Sequence, residues 1–489
     1  MNARFLALDL GAESGRAVVG DFRDGRLSMR EVHRFANEPV RYNGALQWDI
    51  LRLWQEIRDA LDAVRDIRFT SVGVDSWGCD FGLLGERGNL LENPYHYRDS
   101  RTDGVMSEVT ALVPPERIYG TTGVQFLPFN TLFQLYAACQ QTPLLVDSAA
   151  SLATIPDLFN YWLTGELRSE LTIASTTQFV EARSRDWATE LLSELGIPTR
   201  LLPPLVEPGT LLGAISDVAS KEHRGTRVVA PACHDTGSAV ASIVAGGRTA
   251  FLSSGTWSML GTELQEPIVT ENARRLNFTN EGGVCGTTRL LKNIAGLWLL
   301  QACRRCWTSA GHDYSYDDLV TAAADSRHAF RSLIDPDCPD FLHPGDMVAS
   351  IAGYCRQTSQ AEPTNPPAYA RAVFESLAFK YRTVLEALEE VTGTSFEQIR
   401  VVGGGARNRL LNQFTADATG RSVIAGPVEA TALGNIAMQM LATGHVSSLV
   451  EARAVIERSF PVERYEPSNA ELWNRHYPRF LEYLELTCA

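Results

Sequence analysis

The chain has 489 residues, room for two or three domains, and carries 44 basic against 58 acidic side chains for a formal charge of −14. With 45% hydrophobic and 21% charged residues, it is neither a disordered tail, a collagen-like fibre nor a disulfide-stapled mini-protein. The acidic balance argues against non-specific nucleic-acid binding, which needs a basic footprint, and the basic set is nearly all arginine, with Lys221, Lys292 and Lys380 the only lysines.

The opening MNARFLALDL has a short apolar run that meets Asp9 early, so it is expected as a buried strand and not a secretory leader. The hairpin signal Asp24-Gly25 then joins RAVVGDF to LSMREVHRF, which predicts a β-meander from the first strand onward. Leu51, Trp54, Ile57, Leu61, Val64 and Ile67 recur at spacings of three and four, the period of an amphipathic helix. SVGVDSWG is expected as a strand ending at Asp75, with FGLLG as its hairpin partner ahead of the turn Glu86-Arg87-Gly88-Asn89.

About half the chain later, TAFLSSGTWSMLGT (249–262) repeats the pattern of strand, Gly-containing turn and strand. Such a long interval suits duplication of a whole domain. It predicts two α/β lobes, 1–244 and 245–489, with a cleft between them. In the second lobe a long helix from Ala370 to Val391 should stop at Gly393, and a strand Ile399–Val402 should lead through glycines into a helix ending at Gly420. Nine scattered cysteines are expected as free thiols in a reducing cytoplasm. Cys303 and Cys306 read as a packed helix face, because no second pair completes a zinc site. No stretch approaches the roughly 20 apolar residues of a membrane span.

Gly-tipped hairpins aim several backbone N–H groups at one point and so suit phosphate oxygens. DLGAESGR adds Asp9 as a candidate magnesium ligand, the Ser14 hydroxyl and the Arg16 guanidinium, while SSGTWS adds Ser253, Ser254 and Thr256. VVGGGARN lies between a strand and a helix, a context for close approach to a nucleotide. It lacks the spacing G-x-G-x-x-G, and no G-x-x-x-x-G-K-[ST] occurs anywhere, which removes a P-loop enzyme. Asp235, in Cys233-His234-Asp235-Thr236-Gly237, follows the apolar strand VVAPA. From spacing alone it is either a general base for phosphoryl transfer or the cap of the following helix. Asp75, Asp80, Arg98, Asp99 and Arg101 form a polar set suited to sugar hydroxyls or to a solvated loop. No G-x-S-x-G nucleophile elbow supports a hydrolase.

Together DLGAESGR, DSWGCDF, YRDSRT, CHDTGSA, FLSSGTWS, LKNIAGLWLLQ and VVGGGARNRLLNQFTADATG…GPVEATALGN resemble the FGGY carbohydrate kinases, from about residue 4 to about residue 467. One departure is that Ala12-Glu13 stands where the family's general phosphate motif has Gly-Thr. The resemblance implies a duplicated actin-like, ribonuclease-H-like α/β fold with its active-site cleft between the lobes. It also implies transfer of a phosphoryl group from ATP with Mg²⁺ to a small ketose, expected to be L-rhamnulose, with L-fuculose, L-xylulose or L-ribulose as alternatives. Ala12, Glu13, Ser14, Gly15, Arg16 and Thr256 would hold the phosphates, and Gln301 and Gly404 the rest of the nucleotide. Asp235 would be the base, with Gly78, His234, Thr236 and Asn293 on the sugar and Asp9 on magnesium. A rival of another class is an actin-like nucleotide-switched binding protein. That would need a large extra peptide-binding domain or a polymer interface. Oligomeric state is not legible, because helix faces serve cores and interfaces alike.

Overall fold

The computed structural model describes residues 2–487 except 326, 328 and 343. The chain falls into two compact units. Met1–Val244, Glu263–Leu291 and Ala430–Pro461 make the first; Ala245–Thr262, Lys292–Glu429 and Val462–Ala489 make the second.

The first unit is built on a mixed sheet in the strand order Thr210–Ala214, Arg227–Ala230, Ser71–Ser76, Ala3–Leu10, Ser14–Arg23, Arg26–Ala36. Ala3–Leu10 is buried along almost its whole length, as a central strand covered on both faces must be. It pairs antiparallel with Ser14–Arg23 and parallel with Ser71–Ser76, which in turn runs parallel to Arg227–Ala230. The meander is present as expected, and Asp24 and Gly25 both take positive φ at its second turn. The helix Ala430–Ala442 packs Leu433, Ile436 and Met440 over Phe5, Val18 and Phe22 of the sheet. Gly434 lets this helix approach Asp235–Ala241: a Cβ there would lie 1.7 Å from the Ser238 carbonyl oxygen.

The second sheet repeats the plan. Thr249–Ser254 and Trp257–Leu264 form the hairpin. Gln398–Val402 and Ser422–Ala425 then run parallel to the first of these strands, and Glu463–Tyr465 closes the edge antiparallel. The long helix spans Pro366–Thr392, capped by the Asn365 side chain and ended at Gly393, and the helix after the glycines spans Arg409–Thr419 and ends at Gly420. Cys303 and Cys306 lie on the helix Trp298–Ser309, and the eight described cysteines are all free. No helix among the described residues is long and apolar enough to cross a membrane.

Two local expectations are corrected. Phe81–Leu84 pairs antiparallel with Ser151–Thr154 and not with the strand that ends near Asp75, although the turn Gly85–Asn89 does close behind it. The helix near residue 50 spans Ile50–Ala63, after an Asp49 cap, and buries Ile50, Leu53, Ile57, Ala60 and Leu61. Leu51 is 62% exposed. The spacing was right, but the buried stripe starts one residue earlier, about 100° round the helix. Trp54, at its edge, packs on Phe159 and Trp162.

Beneath the strand end at Cys233 lies a pair of buried acids. Glu170 accepts hydrogen bonds from the Thr172 hydroxyl (2.6 Å) and from the N–H of Thr172, Ile173 and Cys233. Asp157 accepts from the Thr154 and Ser169 hydroxyls and from the Glu170 N–H. Burial raises the Asp157 carboxyl to about 8, against the pull of the Thr154 hydroxyl and with the Glu170 charge adding to the rise. The folded state therefore binds a proton that the unfolded state, with an ordinary carboxylate near 4, releases. The stability this supplies is complete below about pH 4 and is lost as pH rises through about 8. Between these values one such proton gives a slope of about 1.4 kcal/mol per pH unit. Urea unfolding at pH 5, 6, 7 and 8 should show stability falling with pH, and Asp157→Asn should flatten that fall.

Candidate active site

The parallel register places Asp9 directly opposite Asp75, and a further bridge aligns Ser76 with His234, with the Ser76 N–H donating to the Cys233 carbonyl at 2.9 Å. Asp9, Asp75 and the His234-Asp235 pair thus stand side by side at the carboxyl ends of three parallel strands. That edge is where open α/β sheets bind ligands.

Asp235 is the first residue of the helix Asp235–Ala241, and the cap position belongs to His234, whose side chain makes no capping bond. The expectation of Asp235 as a helix cap does not hold. Its Oδ1 accepts from the N–H and the hydroxyl of its own neighbour Thr236, at 2.5 and 3.1 Å. Burial pushes the carboxyl up, His234 pulls it down, and the charge of Asp9 adds to the rise. Asp75 is fully buried and held well above the usual carboxylate range, first by burial and then by Asp9. Asn435 opposes this by donating to Asp75 Oδ2 at 2.6 Å. Asn435 is itself oriented by Gln439, which is gripped by the Ser71 hydroxyl at 2.7 Å and donates to the Leu6 carbonyl at 3.0 Å.

At the first hairpin the Gly11 N–H donates to the Ser14 carbonyl at 3.0 Å, and Asn37 secures the tip through the carbonyls of Gly11 and Glu13. Arg16 clamps Asp9 Oδ2 with two N–H groups at 2.6 and 2.9 Å. Ser14 is exposed, Ala12 and Glu13 are half-buried, and Gly15 is buried against the Phe35 ring. Gly78 lies beside Thr176 in the turn after Asp75.

In the second unit, Thr256 sits at the other hairpin tip. Its carbonyl and that of Gly255 accept from the N–H groups of Gly296, Leu297 and Trp298, tying the tip to the start of the helix Trp298–Ser309. Gln301 is on the first turn of that helix, and its Oε1 is buried without a hydrogen-bond partner, an acceptor left over by the protein. The glycine turn packs on the same hairpin: a Cβ at Gly405 would lie 2.0 Å from the Ser254 hydroxyl, whereas one at Gly404 would meet nothing. Thr256, Gln301 and Gly404 are therefore gathered around one tip. Asn293 is half-buried in the strand Thr288–Ala295.

The five-residue polar set splits. Asp75 joins the strand-end row, but Asp80 accepts from the indoles of Trp48 (2.7 Å) and Trp77 (2.9 Å) and from Gln134, with burial raising it to about 6. Asp99 holds the Leu46 N–H, Arg101 lies 3.8 Å over the Tyr95 ring, and Arg98 sits over Tyr97. These residues build the wall around Trp48 and do not join the carboxylate row. Asn37, Asn435 and Gln439 were missed, because their partners lie far away in sequence and no spacing links them.

Clustered acids balanced by one arginine suit a divalent cation. Among the described residues no group of three or more His, Cys, Asp or Glu is placed to cage a metal alone. Magnesium is commonly held by one or two carboxylates together with water and substrate phosphates, and Asp9 in the row is a donor of that type.

The N-terminal-domain model of the FGGY family of carbohydrate kinases matches residues 4–241, and its C-terminal-domain model matches residues 250–443. The chain is 43% identical to a rhamnulokinase of Bacteroides thetaiotaomicron over 98% of this chain and 99% of that one. It is 41% identical to a rhamnulokinase of Halalkalibacterium halodurans, over 95% and 99%. Among solved structures, gluconate kinase from Lactobacillus acidophilus superposes with a TM-score of 0.82 at 17% identity, covering 100% of this chain and 99% of that one. Plasmodium falciparum glycerol kinase with ADP gives 0.77 at 15% identity, covering 99% and 98%. The architecture is the two-domain, actin-like and ribonuclease-H-like α/β fold of these kinases.

Asn435→Leu leaves Asp75 Oδ2 and the Gly73 carbonyl without their donor. A loss of about 1–3 kcal/mol is expected in urea unfolding. A double-mutant cycle with Asp75→Asn should return a coupling on the order of 1 kcal/mol, and additive effects would contradict the pairing.

Proposed function

Because this chain belongs to the FGGY family of carbohydrate kinases, we propose that it transfers the γ-phosphoryl group of ATP to O1 of L-rhamnulose. The products are L-rhamnulose 1-phosphate and ADP, a step of L-rhamnose catabolism. The observation that carries the choice of sugar is the identity of about 40% or more, over nearly whole chains, to several proteins named rhamnulokinase.

In this reading the O1–H of the ketose lies at Asp235, whose carboxylate accepts the proton as O1 bonds to the γ-phosphorus and the bridging oxygen leaves with ADP. A carboxyl raised by burial is a stronger base than an exposed one, which favours the transfer near neutral pH. His234, Thr236, Gly78 and Asn293 are assigned to the sugar. Ala12 to Arg16 in the first unit, and Thr256, Gln301 and Gly404 in the second, are assigned to the nucleotide. For the second group the support is the leftover Gln301 acceptor beside a hairpin tip. Arg16 contributes fixed positive charge near the transferring group. Asp9 would hold Mg²⁺, which when bound offsets the charge of the phosphates.

A panel of L-rhamnulose, L-fuculose, L-xylulose and L-ribulose with ATP and Mg²⁺, followed by ADP release, tests the assignment. The expected outcome is the highest kcat/KM for L-rhamnulose, with phosphorus NMR showing the ester at C1. A higher kcat/KM for another ketose would replace the substrate, and no ADP release with any sugar would remove the kinase reading.

A further inference from the structure

His234 is enclosed by charge on both sides of its ring, and the sources of that charge are fixed by the backbone. Glu281 and Arg289 stand directly opposite each other in the antiparallel pairing of Thr279–Gly282 with Thr288–Ala295. Both side chains are buried, and Arg289 Nη2 lies 3.1 Å from Glu281 Oε2, while Arg289 Nε holds the Gly282 carbonyl. His234 Nδ1 is 3.2 Å from Glu281 Oε2 and 3.3 Å from Arg289 Nη2. Its Nε2 is 3.5 Å from Asp235 Oδ1. Behind the ring, the His234 N–H is tied to the Thr172 hydroxyl at 3.1 Å.

We propose that Glu281 and Arg289 are positioning residues that keep a proton on His234 Nε2, so that the imidazole holds Asp235 Oδ1 and leaves Oδ2 to take the proton of the substrate hydroxyl.

The two nitrogens face different demands. At Nδ1 the hydrogen bond is with Arg289 Nη2 at 3.3 Å, and because a guanidinium can only donate, Nδ1 accepts and the proton of the neutral ring stands on Nε2. At Nε2, the neighbour is an anionic oxygen, and only an N–H is attracted to it. Glu281, 3.1 Å from Arg289 Nη2, holds the guanidinium against Nδ1, so the pair places the ring proton on Nε2, the form that the Asp235 side also requires. Burial alone would raise the Glu281 carboxyl, but Arg289 and then His234 hold it below the usual range, so the anion that anchors the ring persists. The charged groups facing Asp235 are His234, Asp9 and Asp75, and those facing His234 are Asp235, Glu281 and Arg289. Three contacts, two from Thr236 and one from His234, then fall on Asp235 Oδ1. The assignment of Oδ2 as the basic atom rests on Asp235 acting as the base of the proposed kinase reaction; the arrangement of His234 does not.

Long-range proton–nitrogen correlation on full-length protein labelled at histidine, at pH 7.5, reads the ring directly. His234 is assigned by the signal lost in His234→Asn. The expected result is a protonated Nε2, and an unprotonated Nε2 overturns the proposal. This readout requires no turnover, so its failure is separate from any failure of the kinase reading. In kinetics, Glu281→Gln is expected to lower kcat by about tenfold or more, as displaced reacting groups do, with KM for ATP within about twofold. The double variant Glu281→Gln with Arg289→Gln removes both charges and so avoids stranding one in the core. It should fold and remain slow by a similar factor. A folded double variant with wild-type kcat would also overturn the proposal.

Discussion

Two carboxylates, Asp9 and Asp75, face each other across adjacent parallel strands, and a third, Asp235, follows the next strand end in the same row. Like charges this close and this poorly hydrated repel, and each is costly to ionise away from water. The first unit is arranged around that cost. Arg16 meets Asp9, Thr236 and His234 meet Asp235, and Asn435 meets Asp75. Each partner has its own anchor. Gln439 and Ser71 stand behind Asn435, Glu281 and Arg289 behind His234, and Glu170 behind the strand end that carries them. Buried polar networks hold a geometry through such bonds, and here Asp75 Oδ2 is held by Asn435 while Oδ1 has no hydrogen-bond partner.

The same strand plan serves a different purpose in the second unit. Its hairpin tip bears hydroxyls instead of acids and is backed by a glycine turn that packs against Ser254. Close backbone packing and a helix start at the tip favour an anionic ligand, where the first unit collects acids. A duplicated framework thus carries two kinds of chemistry, a row of acids in the first unit and hydroxyls backed by a glycine turn in the second. The net charge of −14 poses no obstacle, because local N–H groups and arginine set the field a phosphate meets.

Much of this framework was legible from local pattern. The Asp24-Gly25 turn, the repeated hairpin near Gly255 and the stops at Gly393 and Gly420 depend on residues adjacent in sequence, and each is where the pattern put it. What failed depended on partners elsewhere. Phe81–Leu84 found Ser151–Thr154 as its neighbour, and no local signal distinguishes that pairing from a tight hairpin. The Ile50–Ala63 helix turns Ile50 and Leu53 inward and leaves Leu51 exposed, because packing against the rest of the unit, which the apolar spacing cannot show, chooses the buried face. Asp80 has the same residue type and neighbourhood as Asp75, yet two indoles draw it into the Trp48 wall. Asn435 and Glu281 lie hundreds of residues from Asp75 and tens from His234, so only the fold brings them together.

The central claim is that Asp235 is the group that removes the proton from the attacking hydroxyl. Asp235→Asn keeps the size and the Oδ1 acceptor but removes the base, so turnover of L-rhamnulose with saturating ATP and Mg²⁺ measures that role alone. A fall in kcat of about 10²–10⁴ is predicted, the usual contribution of a positioned base. A well-folded variant with kcat within about tenfold of the wild type would contradict the claim.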